Sequence, residues 1–178
     1  MAKLLKTELA IHHRFDPRSC RHALNGVVTV LHCHHYSSLY TQLADDCTLV
    51  DAKRILRETA EDAFYKVLTS YFAENECGIL SDRVAIAEQY YAYVGLGAMQ
   101  FLCAGHDSGE VILTHSHVDE GWLKKFGRSD RPLNFITCGY LAACFAAMFD
   151  RPTRSYSVEE TESIVRGAER SRFQIVIR

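Results

Sequence analysis

The 178 residues contain no GxGxxG, no Walker loop and no GxSxG elbow, and their seven cysteines form no CxxC pair. No nucleotide cofactor is therefore indicated, nor a zinc ribbon or redox dithiol. Charge of one sign is also missing. A net charge of −2 gives no electrostatic case for nucleic acid or an anionic membrane surface. No apolar run reaches the ~20 residues of a membrane span, and Lys3 and Lys6 interrupt the start too early for a signal peptide. The expectation is a cytoplasmic protein whose scattered cysteines act mostly as small buried hydrophobes.

What is present is an ordinary globular composition, 48% hydrophobic and 24% charged, in a length that suits one domain over residues 1–178. A strand or short arm is expected over 9–13, with a turn at Asp16-Pro17. Residues 20–43 read as a helix through Leu24, Val27, Val28, Leu31, Leu39 and Leu43, although Asn25-Gly26 weakens its first turn. The strongest pattern is 51–73, where Ile55, Leu56, Ala60, Phe64, Leu68, Tyr71 and Phe72 make a stripe at helical spacing. Asp51 is its expected N-cap, with Gly78 beyond its end.

Residues from 81 or 82 to 93 suit a third helix, though 88–93 read equally well as a strand. A hairpin of 99–104 and 110–117 closes over Gly105-His106-Asp107-Ser108-Gly109. Residues 119–126 suit a helical turn, and 133–148 an apolar helix that ends at Asp150-Arg151-Pro152. Strands are expected at 153–160 and 172–177. This order, without regular βαβ alternation, predicts an α+β fold in which helices pack on an antiparallel sheet.

Most of the nine histidines fall in three clusters. Within His32-Cys33-His34-His35-Tyr36, helical geometry turns His34 and His35 toward the apolar side. In Thr114-His115-Ser116-His117, strand periodicity points His115 and His117 to one face. Two imidazoles from a strand and a third from the first helix, with an oxygen from Asp119 or Glu120 or the Cys33 thiolate, would make a metal site with an open position. Zinc or non-haem iron suits such ligands, and haem on one axial histidine is a further variant. The plainer alternative is one buried, hydrogen-bonded histidine with solvated neighbours. His12-His13, His22 and His106 are expected at the surface.

Aromatic residues are numerous enough to line a pocket as well as fill a core. Tyr36, Tyr40, Tyr90, Trp122 and Tyr140 are the candidate ligand contacts, because an apolar cavity with a few polar handles is the usual form of a small-molecule site. Glu88 and Glu120 are candidate general bases for a metal-dependent enzyme that would activate water or polarise an oxygen. The Glu159, Glu160 and Glu162 run is most simply a solvated strand end.

The closing segment carries a resemblance. Gly121-Trp122 after the hairpin, the 133–148 helix, and Glu159 to Phe173 resemble the 4-vinyl reductase (hydrocarbon-binding) domain family over roughly 51–178, with 1–50 an additional arm and helix. In that family a Glu-Thr segment leads to a cysteine, a glycine and a second cysteine before an aromatic. Here Ser163 and Ser171 stand at the cysteine positions, a departure at a frequent metal or thiol site. The resemblance implies a fold shared with haem-based nitric oxide sensors and vesicle-tethering (TRAPP) subunits. It further implies a homodimer that encloses an apolar or aromatic small molecule as sensor, carrier or accessory protein. A metal-dependent enzyme using His34/His35 and His115/His117 is the alternative. An interaction subunit is the third reading, with its exposed apolar surface expected on the 133–148 helix.

Overall fold

The computed structural model describes residues 7–30 and 33–178. Residues 1–6, and Leu31 and His32 of the expected first helix and histidine cluster, lie outside the described residues. In chain order the elements are β1 (His13–Asp16), β2 (Arg21–Leu24), β3 (Val27–Thr29), α1 (His34–Asp46), α2 (Ala52–Glu74), α3 (Leu80–Tyr93), β4 (Gly97–Ala104) and β5 (Ser108–Ser116). Then follow α4 (His117–Phe126), α5 (Phe135–Met148), β6 (Tyr156–Glu162), a 3₁₀ turn (Ile164–Arg166) and β7 (Ser171–Ile177).

The expected helix over 20–43 is corrected in its first half. Residues 21–29 form a β-hairpin instead, and β1 adds to it as a third antiparallel strand. The physical reason is Asn25-Gly26. Both residues have positive φ, 46° and 80°, the left-handed pair of a type I′ turn whose twist matches paired strands. A helix cannot pass through that pair, so α1 begins only at His34. The N-terminal fifty residues thus hold an arm, a small sheet and a shorter helix.

From residue 51 onward the expected elements and the observed ones agree closely. Asp51 caps α2 by accepting from the Arg54 N–H at 3.0 Å. Residues 80–93 are helical rather than extended. Four strands form an antiparallel sheet in the order β4-β5-β7-β6, so that β7, the last strand of the chain, pairs with β5 in its centre. The architecture is α+β.

Thirteen of the fourteen residues of α5 are buried, because the helix lies between α2 on one side and β6 and β7 on the other. A helix that is apolar all round has no solvent face to offer. The apolar interaction surface expected on this helix is therefore absent; it is interior. Its small residues permit the closeness. A Cβ built on Gly139 would collide with the Arg57 carbonyl oxygen and stand 2.8 Å from the Ala60 Cβ.

Gly139→Ala tests that crossing. Intrinsic helix propensity alone would favour alanine by ~1 kcal/mol, whereas forcing the backbones apart costs about 1–3 kcal/mol. A net loss of stability, read as a lower urea midpoint at unchanged slope, is the expected result. A gain would mean that α2 and α5 can separate freely.

Candidate functional site

The arm and small sheet form the outer wall of an apolar cleft. Gln89 on α3 holds the arm by accepting from the Leu9 N–H at 3.0 Å and donating to the Thr7 carbonyl at 2.7 Å. The Tyr71 hydroxyl on α2 accepts from the Ala10 N–H at 2.7 Å. Asn25, at the hairpin turn, accepts from the His12 N–H and donates to the Ala10 carbonyl. Gln89 and Tyr71 thus bond the arm to α3 and α2, Asn25 ties the hairpin turn to the arm, and Leu9, Ile11 and Leu24 pack on the main core.

Between this wall and the helices lies a cavity of about 710 Å³, lined by Val27 and Val30 of the wall, Phe64 and Val67 of α2, and Tyr90 and Leu96 at α3 and its exit. A second cavity of about 450 Å³ shares Thr29, Val30, Val94 and Leu96 with the first, and adds His13, His22, Tyr93 and His117. Along α2 the first cavity meets Ala63, Phe64 and Val67 together with Lys66, Ser70 and Glu74, and the second brings in the histidines. His13 Nε2 and His22 Nδ1 are 2.9 Å apart with their rings stacked. Phe64 meets Tyr90 and Tyr140 edge-on, which fixes the aromatic floor.

Of the five aromatic candidates, only Tyr90 lines this cleft. Tyr140 lies one layer deeper, fully buried, with its hydroxyl donating to the Ala87 carbonyl at 2.6 Å. Trp122 packs in a separate cluster with Ala44, Leu133, Phe135 and Val165. Tyr36 and Tyr40 are exposed on α1.

The histidines divide as well. His117 is not a strand residue but the first residue of α4, so the strand-face pairing expected for His115 and His117 does not form. His115 is 76% exposed and lies 3.5 Å from the exposed Glu120, whereas His117 reaches the cleft. His34 stacks on His35 and meets the His117 ring edge-on at 6.1 Å. Among the described residues no group of three His, Cys, Asp or Glu side chains is placed to hold a metal ion. Glu88 accepts from the Phe101 N–H at 2.9 Å, and so ties α3 to the irregular part of β4.

A second constellation lies inside the fold. Asp119, Asn134 and Glu160 are buried, as are Ser116, Thr137, Ser163 and Ser171 around them. Asn134 Nδ2 donates to both oxygens of Asp119 (3.0 and 2.9 Å) and to Glu160 Oε1 (2.9 Å). Its backbone N–H donates to Glu160 Oε2 at 3.2 Å. Ser171 donates to Asp119 and accepts from the Ile164 N–H. The Tyr91 hydroxyl meets Thr137 Oγ1 at 2.8 Å, and Thr137 in turn reaches Asn134 Oδ1.

Glu160 is therefore not part of a solvated strand end, as expected from its neighbours Glu159 and Glu162. It points inward because alternate β6 residues face the core. Ser163 and Ser171 belong to this buried polar centre, where hydroxyls occupy the positions that the resemblance gives to cysteines. Sequence reasoning named Asp119 only as a possible metal oxygen, missed Asn134 and the inward turn of Glu160, and left His13 and His22 at the surface. For the hairpin pair the available signal was Asn25-Gly26; for Asn134 there was none.

Burial pushes the carboxyls of both Asp119 and Glu160 above the ordinary carboxylate range, while the Asn134 hydrogen bonds pull them back. A carboxyl whose pKa is higher folded than unfolded binds more protons in the native state. Its contribution is fully present below the unfolded pKa and is lost as pH rises through the folded one. Asn134 favours the ionised forms, so its removal should hurt most when both groups are charged. Asn134→Ala is expected to cost about 2–4 kcal/mol at pH 8 and clearly less at pH 5, by urea denaturation at both. An equal loss at the two values would mean that the amide does not serve the charged forms.

No protein-family model matches the chain, and no curated protein matches it. Solved structures do. The phenol-responsive sensory domain of the transcription activator PoxR, determined with phenol, superposes with a TM-score of 0.77 at 14% identity, over 93% of this chain and 84% of that one. A trafficking protein particle complex subunit 3 from Naegleria fowleri, covalently bound to palmitic acid, gives 0.55 at 13% identity over 81% and 91%. A vinyl-4-reductase family protein from Methanocaldococcus jannaschii gives 0.53 at 13% identity over 84% of each chain. At such identities the likeness is one of fold: an antiparallel sheet and its helices arranged as in the vinyl-4-reductase protein, the PoxR sensory domain and the trafficking subunit.

Proposed function

We propose that this protein binds a small apolar or aromatic molecule in the cleft between its N-terminal sheet and α2–α3, and works as a sensor, carrier or accessory protein. The observation that carries the reading is the cleft's composition. Val27, Val30, Phe64, Val67, Tyr90 and Leu96 give it aliphatic and aromatic surface, while Lys66, Ser70 and Glu74 of α2 and His13, His22, Tyr93 and His117 give it polar groups, the combination by which a pocket both attracts an apolar ligand and orients it. Two structures of the same fold add support, since one was determined with phenol and another carries palmitic acid. Gln89 and Tyr71 bond the arm to α3 and α2, Asn25 bonds it to the hairpin turn, and Leu9, Ile11 and Leu24 pack on the main core.

Phenol, benzene and a sixteen-carbon fatty acid serve as test ligands, titrated by calorimetry. At least one should bind saturably, and Val67→Trp, which fills the trough from α2, should weaken that binding by roughly tenfold or more while the melting temperature holds. A hydroxyl-bearing ligand should also lose roughly fivefold in His22→Phe, the worth of one hydrogen bond, with benzene unaffected. Binding of none of the three, or binding indifferent to Val67→Trp, would sink the proposal.

A further inference from the structure

The register of the small sheet brings two histidines together at one end of the cleft. His13 stands opposite Leu24, His22 stands opposite Phe15, and across β3 His22 pairs with Thr29. Opposed residues share a face of the sheet, so His13, His22, Leu24 and Thr29 all line the second cavity. His13 Nε2 and His22 Nδ1 are 2.9 Å apart, the distance of an N–H donated to a ring lone pair.

That bond uses one N–H and one lone pair, which leaves one of each on the outer nitrogens, His13 Nδ1 and His22 Nε2. The outer lone pair can take a proton while the shared bond survives. A second proton would remove that bond and set two cations side by side. The pair is therefore an acceptor of a single proton. The titratable groups that face it across the cavity are Tyr93 from the end of α3 and His117 from α4, with His34 of α1 behind His117. Arg14, Asp16 and Arg21 occupy the alternate positions of β1 and β2 and so project from the opposite face, and Asp16 bonds Ser19 and the Arg18 N–H within its own turn. His12 lines a different cavity, beside Tyr71 and Glu74. Among the described residues no carboxylate lines the histidine end, so the chain supplies no anion to balance the proton.

We propose that the cleft takes an apolar weak acid, a carboxylic acid or an acidic phenol, and holds it as the anion against a singly protonated His13–His22 pair. The inference rests on the ligand reading above and deepens it. Where the ligand arrives un-ionised, its O–H bond breaks, the electron pair stays on the oxygen and the proton forms a new N–H on the outer nitrogen of the pair. Where it arrives ionised, the pair takes its proton from water. Either way an ion pair forms beside Leu24, Val30, Val94 and Leu96, where screening is weaker than in bulk water, and a hydrogen bond between charged partners is roughly twice as strong as a neutral one.

The test uses 4-nitrophenol, which is yellow only when ionised, and its methyl ether 4-nitroanisole, which has no proton to give. At about pH 6, where free 4-nitrophenol is largely colourless, the compound bound to the full chain should be yellow. At about pH 8, calorimetry in two buffers of different ionisation enthalpy should show uptake of about one proton per 4-nitrophenol and none with the ether. In His22→Gln, which can hydrogen-bond but cannot hold the charge, uptake should vanish, and the preference for 4-nitrophenol over the ether should fall roughly tenfold, the worth of a hydrogen bond to a charged group. Colourless 4-nitrophenol on the wild type, no uptake at the higher pH, or uptake that persists in His22→Gln overturns the proposal. If the ether binds while 4-nitrophenol fails these tests, the ligand reading stands and this one alone falls. If neither compound binds, this proposal falls and the phenol, benzene and fatty-acid titrations decide the other.

Discussion

Everything in the C-terminal half depends on burying α5 from all sides. A helix with no polar face must be covered by a helix on one flank and strands on the other, which dictates that α2 and the β5-β7-β6 part of the sheet sandwich it. The run Ala142-Ala143 and Ala146-Ala147, with Gly139, lets α2 come close, to the point that a Cβ on Gly139 would meet the Arg57 carbonyl oxygen. Packing at that density tolerates little change of volume. The cost of such a helix is that its first turn must also be covered, and the residue that begins it cannot turn to water for hydrogen bonds.

Asn134 resolves that problem, and in doing so gives the core its polar centre. As N-cap of α5 it is pinned where α4, β6 and β7 meet, and it satisfies Asp119 and Glu160 together. An amide is apt here because it donates to two carboxylates while its oxygen accepts from Ser116 and Thr137. A lysine would bring a charge, but not a matching acceptor. No salt bridge reaches either carboxyl among the described residues, so burial raises both, and beside Asn134 the Ser171 hydroxyl donates to Asp119. The same positions filled with thiols would offer ligands to a soft metal; here the hydroxyl of Ser171 instead donates to Asp119 and accepts from the Ile164 N–H.

Much of this could be read from the chain. The stripe of α2, its Asp51 cap, the apolar α5 and the β4–β5 hairpin all announce themselves through periodicity, because each buries one face or every face against a single neighbour. What could not be read is what depends on distant partners. Glu160 resembles its solvated neighbours until β7 and α5 are placed on either side of it. His117 fits strand alternation with His115, yet the chain has already turned: the Ser116 hydroxyl accepts from the Asp119 N–H and caps a helix that begins at His117. The expectation of one helix over 20–43 fails for a different reason. Valines and leucines in both the hairpin and α1 happen to continue one helical spacing, and Asn25-Gly26 outweighs them all.

The cleft and α1 are physically joined. His117 lines the histidine end of the cleft and meets His34 at the first turn of α1, while α1 itself rests on α4, which His117 begins. The first turn of α1 and the histidine end of the cleft are therefore held by one residue, so the seat of α1 on α4, fixed by the close approach of Gly121 to His34 and Ser38, also sets that wall of the cleft.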